Sequence, residues 1–165
     1  MRVSRYRTGR PPEEAALYNP AFLALLVRRA AEGTASENSA GISTFLAFVA
    51  TTMSLRSDIR ELLTMTVSSK LGSWTQEHAR ELTMIAPACR ALIPYLNDAL
   101  MFGLHYDLYT ISRGRLHVSG RGPTKKISGL TVEVQECQRA SYFLGRWFSL
   151  SGSDSTVAAL LGVRP

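Results

Sequence analysis

Apolar residues recur at helical spacing along much of the chain, and the clearest case follows Asn19 and Pro20. Asn19 can accept a hydrogen bond from a free helical amide, and Pro20 fits the first helical position because it has no amide hydrogen to lose. A helix over residues 21–32 is therefore predicted, and Gly33 is expected to end it. Its apolar face consists of Phe22, Leu23, Leu25, Leu26 and Ala30, and Arg28 and Arg29 oppose the helix dipole near its C-terminal end.

Further helices are predicted across the middle of the chain. Residues 41–54 form an apolar helix in this interpretation, although their β-branched residues keep a strand open as an alternative. Ser57 is expected to cap a helix over residues 58–64. A weaker helix is expected over residues 65–73, ending at Gly72.

From Thr75 onward the pattern is helical again and contains two prolines. A proline cannot donate a backbone hydrogen bond, so Pro87 and Pro94 are expected near helix starts or kinks. Pro94 is predicted to open a helix over residues 94–106.

The hydrophobic period then changes from helical to alternating. Residues 108–112 and 115–119 carry strand-type side chains around Arg113 and Gly114, which predicts a β-hairpin. Residues 119–129 are predicted to form a loop rich in glycine and lysine.

A long aromatic helix over residues 131–150 follows the loop. Large apolar residues at helical spacing usually form core, and Gly145 would let a second helix approach closely. Because apolar residues run almost around the helix, a partner protein on one side is the alternative. After a break, Asp154 or Ser155 is expected to cap a last short helix, which Gly162 ends.

These elements predict a mainly α fold with a small β-hairpin, of the α+β class. One helical domain is expected over residues 13–165, beginning with a short helical turn over residues 13–17 and preceded by a basic arm over residues 1–12. The order of the helix over residues 94–106 and the hairpin near residues 108–119 is similar to that of a winged helix. That helix contains no Lys or Arg and therefore offers no positive side chain to bind a polyanion such as DNA.

The charge is concentrated in two segments. The chain has 165 residues, with 19 Lys and Arg against 13 Asp and Glu and a net charge of +6. Residues 1–10 and 108–132 hold nine of those basic residues and no acidic residue, so the remainder has 10 basic and 13 acidic residues, or −3. Concentrated positive charge favours phosphate backbones, anionic lipid or an acidic partner. The candidate contacts to a DNA backbone are Arg113, Arg115, Arg121, Lys125 and Lys126.

The sequence contains no recognisable set of catalytic residues. The three histidines have no Cys or carboxylate at a metal-ligand spacing, and residues 120–126 lack the spacing of a phosphate-binding loop. Cys89 and Cys137 lie on predicted apolar helix faces, which fits reduced thiols in a cytosolic protein. No signal peptide is visible, and the apolar run over residues 42–53 is shorter than the ~20 residues of a membrane helix. We expect a cytoplasmic protein that is not an enzyme, has no cofactor or metal, and does not bind a membrane.

Two segments resemble a known protein family. Residues 10–33, RPPEEAALYNPAFLALLVRRAAEG, are similar to the N-terminal signature of the middle component of bacterial three-component ABC ATPase systems. Residues 139–165, RASYFLGRWFSLSGSDSTVAALLGVRP, resemble its C-terminal part, and the helix–hairpin pattern between them extends the resemblance over most of the chain. The family-motif residues, for which partner binding is a hypothesis, are Asn19, Pro20, Phe22, Arg28, Arg29, Gly145, Arg146, Trp147 and Phe148.

The resemblance implies a non-catalytic adaptor in a prokaryotic defence system against phage or plasmids. It implies that an SMC- or Rad50-like ABC ATPase senses foreign DNA, that the middle component couples this ATPase to a separate effector, and that the complex associates with DNA. A winged-helix DNA-binding regulator that acts on its own is the alternative. An enzyme whose site is assembled only in the fold is a third interpretation.

Overall fold

The computed structural model describes residues 12, 16, 18–120, 122–124, 126–128 and 131–165. Apart from Pro12 and Ala16, the expected arm and the expected turn over residues 13–17 lie outside these residues, as do Arg121 and Lys125. The described residues form one small α+β unit of helices and a three-stranded antiparallel sheet. The predicted fold class is confirmed.

The first long helix, α1 (Pro20–Glu37), begins where the sequence predicts but ends later. The Asn19 side chain accepts a hydrogen bond from the Ala21 amide at 2.8 Å, so the predicted cap is confirmed. The predicted stop at Gly33 is wrong, because this residue is buried within α1 and lies against the backbone of a later helix. Here the missing side chain allows close packing instead of ending the helix.

The segment predicted as one helix over residues 41–54, with a strand as the alternative, contains both a short strand and a helix. A two-residue strand, β1 (Ile42–Ser43), leads directly into α2 (Thr44–Leu55), and the Ser43 side chain caps this helix. The next helix, α3 (Ser57–Arg60), is a single turn, so the prediction over residues 58–64 was too long. The predicted cap is also wrong, because Ser57 lies inside α3.

The helix predicted over residues 65–73 is wrong, because the described structure has turns and irregular backbone at residues 61–70, and Gly72, expected to end that helix, lies inside the next one. Met65 has a φ of 54°, outside the helical region. Tertiary hydrogen bonds hold this backbone in place. The Trp74 indole donates to the Leu62 carbonyl at 2.9 Å, and the Trp147 indole donates to the Ser69 carbonyl at 2.7 Å.

Three helices follow in place of the interrupted helix predicted from Thr75. They are α4 (Leu71–Glu77), α5 (Ala79–Leu82) and α6 (Ile85–His105). Pro87 lies in the first turn of α6, as expected, but the prediction that Pro94 opens a helix is wrong. Pro94 lies inside α6 on its exposed side, where water can bond the carbonyl that this proline leaves unpaired.

The predicted hairpin is confirmed and forms part of a larger sheet. Strands β2 (Tyr109–Ser112) and β3 (Arg115–Val118) are joined by Arg113 and Gly114, whose φ values of 52° and 74° fit a type I′ turn. The sequence analysis missed the third strand. Ile42 of β1 pairs with Leu116, which makes the strand order β1-β3-β2.

The last two helices are α7 (Val132–Leu150), capped by Thr131, and α8 (Asp154–Leu161), capped by Ser153. The cap predicted at Asp154 or Ser155 is therefore displaced by one or two residues. Gly162 ends α8 with a φ of 68°, as predicted.

Helix α1 lies at the centre of the fold and packs against α7, α6 and α2. The aromatic part of α7 forms core, with Phe143, Leu144, Trp147 and Phe148 all buried. Among the described residues, no helix is both long and apolar enough to cross a membrane.

Candidate functional site

Two buried arginines of α1 share one carboxylate. Arg28 donates from Nε to Glu32 Oε1 at 2.9 Å, and Arg29 donates from Nη1 to Glu32 Oε2 at 2.8 Å. The three residues are 5%, 2% and 7% exposed, respectively. Two guanidinium groups thus face a single carboxylate away from water. Such a cluster is stable only where further hydrogen-bond acceptors surround the positive charges.

Among the described residues, backbone carbonyls of the segment 119–128, here called the basic loop, supply several of those acceptors. Arg28 Nη1 donates to the Ser119 carbonyl at 3.1 Å and also to the carbonyl of Leu108, just before β2. Arg29 Nη2 donates to the carbonyls of Thr124 and Lys126 at 3.1 and 3.4 Å. Both arginines therefore act inside the protein, where they hold a loop whose own sequence is basic.

Gln138 of α7 completes this arrangement. It is buried, accepts from Arg29 Nε at 3.1 Å, and donates to the Ser128 carbonyl at 2.6 Å. The loop also lies directly on the other guanidinium, because a Cβ added at Gly122 would lie 2.4 Å from Arg28 Cζ. We call Arg28, Arg29, Glu32 and Gln138 the arginine clamp.

The clamp corrects the placement of two motif residues. Arg28 and Arg29 were expected near a helix end, opposing the dipole, but α1 continues to Glu37 and both side chains turn into the fold. Lys126 is exposed on the loop that they hold, while Arg121 and Lys125 lie outside the described residues. The clamp thus holds the described backbone of the basic loop, on which Lys126 is exposed.

The two hairpin arginines differ in their surroundings. Arg113 is exposed at the turn. Arg115 donates from Nη2 to the Gly41 carbonyl and from Nη1 to Asp154 Oδ2, each at 2.8 Å, and lines a cleft of about 460 Å³. Its guanidinium therefore ties β3 to the start of α8.

The described candidate DNA contacts of the hairpin turn and of the basic loop lie at different places in the fold. The hairpin turn lies at the start of α2, where the Gly114 carbonyl accepts from the Thr44 amide at 3.1 Å. The basic loop starts at the opposite end of the hairpin, beside Leu108 and Ser119. The four residues of β3 separate these ends by ~13 Å. Of the described candidate contacts, Arg113 and Lys126 thus lie at two separate places, here called the two basic edges.

Glycines of the motif region bring α1 and α7 into backbone contact. A Cβ added at Gly145 would lie 2.0 Å from the Ala30 carbonyl oxygen, and one added at Gly33 would lie 2.0 Å from that of Tyr142. The Thr34 hydroxyl donates to the Gly145 carbonyl at 3.0 Å. The two helices therefore meet with no room for a side chain at either glycine.

The remaining motif residues support the same packing. Trp147 and Phe148 are buried, and Arg146 Nε donates to Glu37 Oε1 at 2.6 Å, which joins α7 to the last turn of α1. Phe22 is half-buried at the start of α1, next to the capping pair of Asn19 and Pro20.

Within the described residues, no group of three or more His, Cys, Asp or Glu side chains is placed to hold a metal ion. Burial raises the pKa of the Cys89 and Cys137 thiols, which opposes formation of a nucleophilic thiolate. Burial also raises the pKa of Tyr109, whose hydroxyl donates to the Ala99 carbonyl at 3.0 Å. Cys137 and Tyr109 are buried in the core, and the half-buried Cys89 packs against it.

Sequence reasoning missed two members of the clamp. The i,i+4 spacing of Arg28 and Glu32 is a local signal for an ion pair and could have identified the carboxylate. Gln138 has no local signal, because its partner Arg29 lies 109 residues away in the sequence.

Comparison with known proteins identifies a family whose model covers nearly the whole chain. The family described as ABC-three component (ABC-3C) system Middle Component 3 matches residues 8–165. Neither a curated protein nor a solved structure gave a significant match.

Proposed function

Because the chain belongs to the Middle Component 3 family of ABC-three component systems, we propose that it is a non-catalytic adaptor between the ABC ATPase and an effector. The family itself implies that the chain works with the other subunits of such a system. The match over residues 8–165 carries the proposal, because it includes every element from α1 to α8.

The placement of the motif residues supports an adaptor. Gly33 and Gly145 set the contact between α1 and α7, and Trp147 fills the core beside it. The clamp holds the basic loop through backbone carbonyls, and Lys126 on this loop is exposed. Such a fold presents fixed surfaces to partners.

In the proposed mechanism the adaptor binds an SMC- or Rad50-like ATPase and the effector of a prokaryotic defence system. The nucleotide and DNA state of the ATPase then decides whether the effector is held inactive. The two basic edges add a few phosphate contacts within the DNA-bound complex, which suits a chain whose remaining residues carry a net negative charge.

Co-expression with the ATPase and effector encoded beside the gene tests the adaptor role. We expect the three proteins to co-elute in size exclusion. The Lys126→Glu variant reverses the charge of an exposed loop residue and should weaken co-elution. Lys70→Glu makes the same change outside the basic edges and is the matched control, which should co-elute like wild type. If the chain elutes apart from both other proteins, the adaptor proposal is wrong.

The exposed position of Arg113 favours a second candidate, direct binding of duplex DNA by the isolated chain. The slope of log affinity against log salt is expected to flatten by about 0.9 in Arg113→Ala. Arg115→Ala is expected to flatten it less, because this guanidinium is bound to Asp154 and Gly41. Undetectable binding at low salt would exclude this candidate and leave the adaptor proposal untouched.

A further inference from the structure

A cleft lies between α7, the irregular backbone over residues 61–70 and the basic loop, and we call it the α7 cleft. Its volume is about 430 Å³, within the ~300–1,000 Å³ that is typical of ligand sites. Apolar and aromatic residues from all three segments line it, namely Met65, Val67, Ile127, Tyr142 and Phe143. Arg139 and Arg146 of α7 line it as well.

The walls of the α7 cleft are held by hydrogen bonds to the rest of the fold. The Trp147 indole donates to the Ser69 carbonyl at 2.7 Å, which ties the irregular segment to α7. Ile127 of the basic loop lies between Lys126 and Ser128, whose carbonyls both accept hydrogen bonds from the arginine clamp. The cleft is therefore a built part of the fold, and the clamp positions one of its walls.

The apolar walls leave hydrophobic surface open to a partner. Met65 is 49% exposed, and its φ of 54° is a left-handed conformation that residues other than glycine adopt rarely. Val67 and Ile127 are half-buried. A methionine side chain is flexible and polarisable, so it can adapt to the shape of an apolar group beside it. The cleft therefore fits a large apolar side chain.

Arg139 brings a positive charge to the cleft without a carboxylate partner. Its Nη2 donates to the neutral Gln135 side chain at 3.3 Å, and it forms no ion pair within the part of the chain that the structure describes. Glu133 and Glu136 of the same helix face Arg60 instead, at 3.2 and 4.0 Å. The exposed guanidinium of Arg139 can therefore accept a carboxylate from outside the chain.

Arg146 adds a second guanidinium, two helical turns along α7. Its Nε donates to Glu37 Oε1 at 2.6 Å, and its side chain is 36% exposed. The described residues that line the cleft include no Asp or Glu. Charge complementarity thus favours an acidic occupant, and a guanidinium is well suited to bind a carboxylate through paired hydrogen bonds.

The spacing of the two arginines limits the shape of the occupant. Arg139 and Arg146 are separated by seven residues, or ~10 Å along α7. An extended peptide rises ~3.3 Å per residue, so acidic residues within two positions on either side of an apolar residue span this distance. Tyr142 and Phe143 lie between the arginines in sequence, where the apolar side chain would pack.

We propose that the α7 cleft binds an acidic segment of a partner subunit, in which one large apolar side chain lies between Asp or Glu residues. The apolar side chain packs against Met65 and Phe143, and the flanking carboxylates pair with Arg139 and Arg146. The arm over residues 1–10 of this chain is an unsuitable occupant, because its four arginines would meet like charge. The inference rests on the adaptor role only for which subunit carries the segment.

A fluorescent peptide tests the proposal on the full-length chain alone. The probe has one phenylalanine with two aspartates on either side, and fluorescence anisotropy gives its dissociation constant. Replacement of the phenylalanine by alanine removes the apolar contact, and replacement of the aspartates by asparagines removes the charge. We expect each replacement to raise the dissociation constant by at least about tenfold.

Variants of the chain locate the binding site. Arg139→Glu and Met65→Asp each set a carboxylate against the acidic probe, and each should raise its dissociation constant by at least about tenfold. Arg90→Glu and Met84→Asp are the matched controls, because they make the same changes at exposed positions that do not line the cleft. They should bind the probe like wild type. Circular dichroism verifies that all four variants fold.

A probe that fails to bind at chain concentrations on the order of 100 μM would overturn the proposal. Equal affinity for the alanine or asparagine probe would do the same, as would equal losses in the cleft variants and their controls. If single-stranded DNA of the same length binds more tightly than the probe and loses this binding in Arg139→Glu, the cleft is a nucleic-acid site and the proposal is wrong.

Co-expression with the ATPase and effector separates this inference from the adaptor role. We expect Met65→Asp to weaken co-elution with one of the two subunits, while Met84→Asp co-elutes like wild type. If the probe binds but the wild-type chain elutes apart from both subunits, the adaptor proposal is wrong and the cleft proposal stands. Unchanged co-elution of Met65→Asp would contradict the cleft proposal and leave the adaptor role intact.

Discussion

Helix α1 is fixed by two different kinds of contact. Toward α7 it meets another backbone directly, at Gly33 and Gly145, where an added Cβ would lie 2.0 Å from a carbonyl oxygen. Toward the basic loop it acts through long side chains, because Arg28 and Arg29 reach carbonyls 80 to 97 residues away in sequence. The first contact depends on shape and the second depends on charge and hydrogen bonds.

The two contacts should tolerate different kinds of substitution. A backbone contact tolerates no added atom, but it has no charge to balance. The clamp can adjust its side-chain torsions, but the loss of its single carboxylate leaves two buried positive groups facing each other. Sensitivity to volume should therefore mark the α1–α7 contact, and sensitivity to charge should mark the clamp.

The largest effect is expected from Glu32→Gln, which removes the clamp's negative charge with almost no change in volume. Breaking a buried ion pair in this way costs about 3–5 kcal/mol of unfolding free energy. Urea denaturation of wild type and variant gives the measurement. Glu37→Gln is the control, since Glu37 pairs with the partly exposed Arg146 and its loss should cost under about 1 kcal/mol. Equal losses in the two variants would show that charge does not govern the clamp.

A smaller loss, about 2–3 kcal/mol, is expected from Gly145→Ala, because the new methyl group meets the Ala30 backbone and the two helices must separate. Thermal unfolding measures it. In Gly72→Ala the nearest atom to the added Cβ is 3.8 Å away, so this control should be neutral or slightly stabilising through helix propensity. A neutral Gly145→Ala would mean that the α1–α7 contact is loose.

Asp154→Asn extends the comparison to a charged contact that water reaches. The side chains of Arg115 and Asp154 are 35% and 40% exposed, so solvent screens their attraction. We expect the change to cost less than about 1 kcal/mol in urea denaturation, well below the cost of Glu32→Gln. A loss as large as that in the clamp would contradict the view that burial makes the clamp sensitive to charge.

The smallest expected effect concerns Cys137, which precedes Gln138 of the clamp on α7. Burial raises the pKa of this thiol in the folded chain, so the unfolded chain ionises first as the pH rises. The thiol's contribution to stability is complete below its ordinary pKa of 9.0 and declines as the pH rises toward the folded value. Unfolding midpoints measured on either side of pH 9 test this, and Cys137→Ser should flatten the decline.

Alkylation of the same thiol reports how often α7 opens beside the clamp. Labelling of Cys137 should be slow in wild type and faster in Glu32→Gln. Equal labelling rates in wild type and Glu32→Gln would show that the opening of α7 does not depend on the clamp.

Local chemistry accounts for the parts of the fold that the sequence predicted well. The start of α1 at Asn19 and Pro20, the hairpin turn at Arg113 and Gly114, and the end of α8 at Gly162 each follow from residues within one turn. At such positions capping or a positive φ decides the backbone, and neither depends on the rest of the chain.

The errors arose where a distant part of the chain decides the local structure. Gly33 stays helical where the Tyr142 backbone packs onto it, and the helix expected over residues 65–73 gives way to irregular backbone in which the Ser69 carbonyl accepts from the Trp147 indole. The strand β1 has two residues and exists through its pairing with β3. No local pattern encodes these partners.

The candidate site also has parts that the sequence predicts and parts that depend on distant residues. Positive charge in the basic loop is visible in the sequence, whereas its attachment to Arg28 and Arg29 requires acceptors from beyond α1. The DNA contacts at Arg113, Arg115, Arg121, Lys125 and Lys126 stay predictions. So does partner binding by the motif residues.

The two-residue strand β1 changes how the hairpin exchanges hydrogen with solvent. In an isolated hairpin both strands have an open edge, but here β3 is the central strand, paired with β1 on one side and β2 on the other. Its amides near Leu116 can exchange with deuterium only when the sheet opens, whereas the outer edge of β2 offers its backbone groups to water. Slow exchange in β3 would then report on the stability of the whole fold rather than on the motion of a free wing.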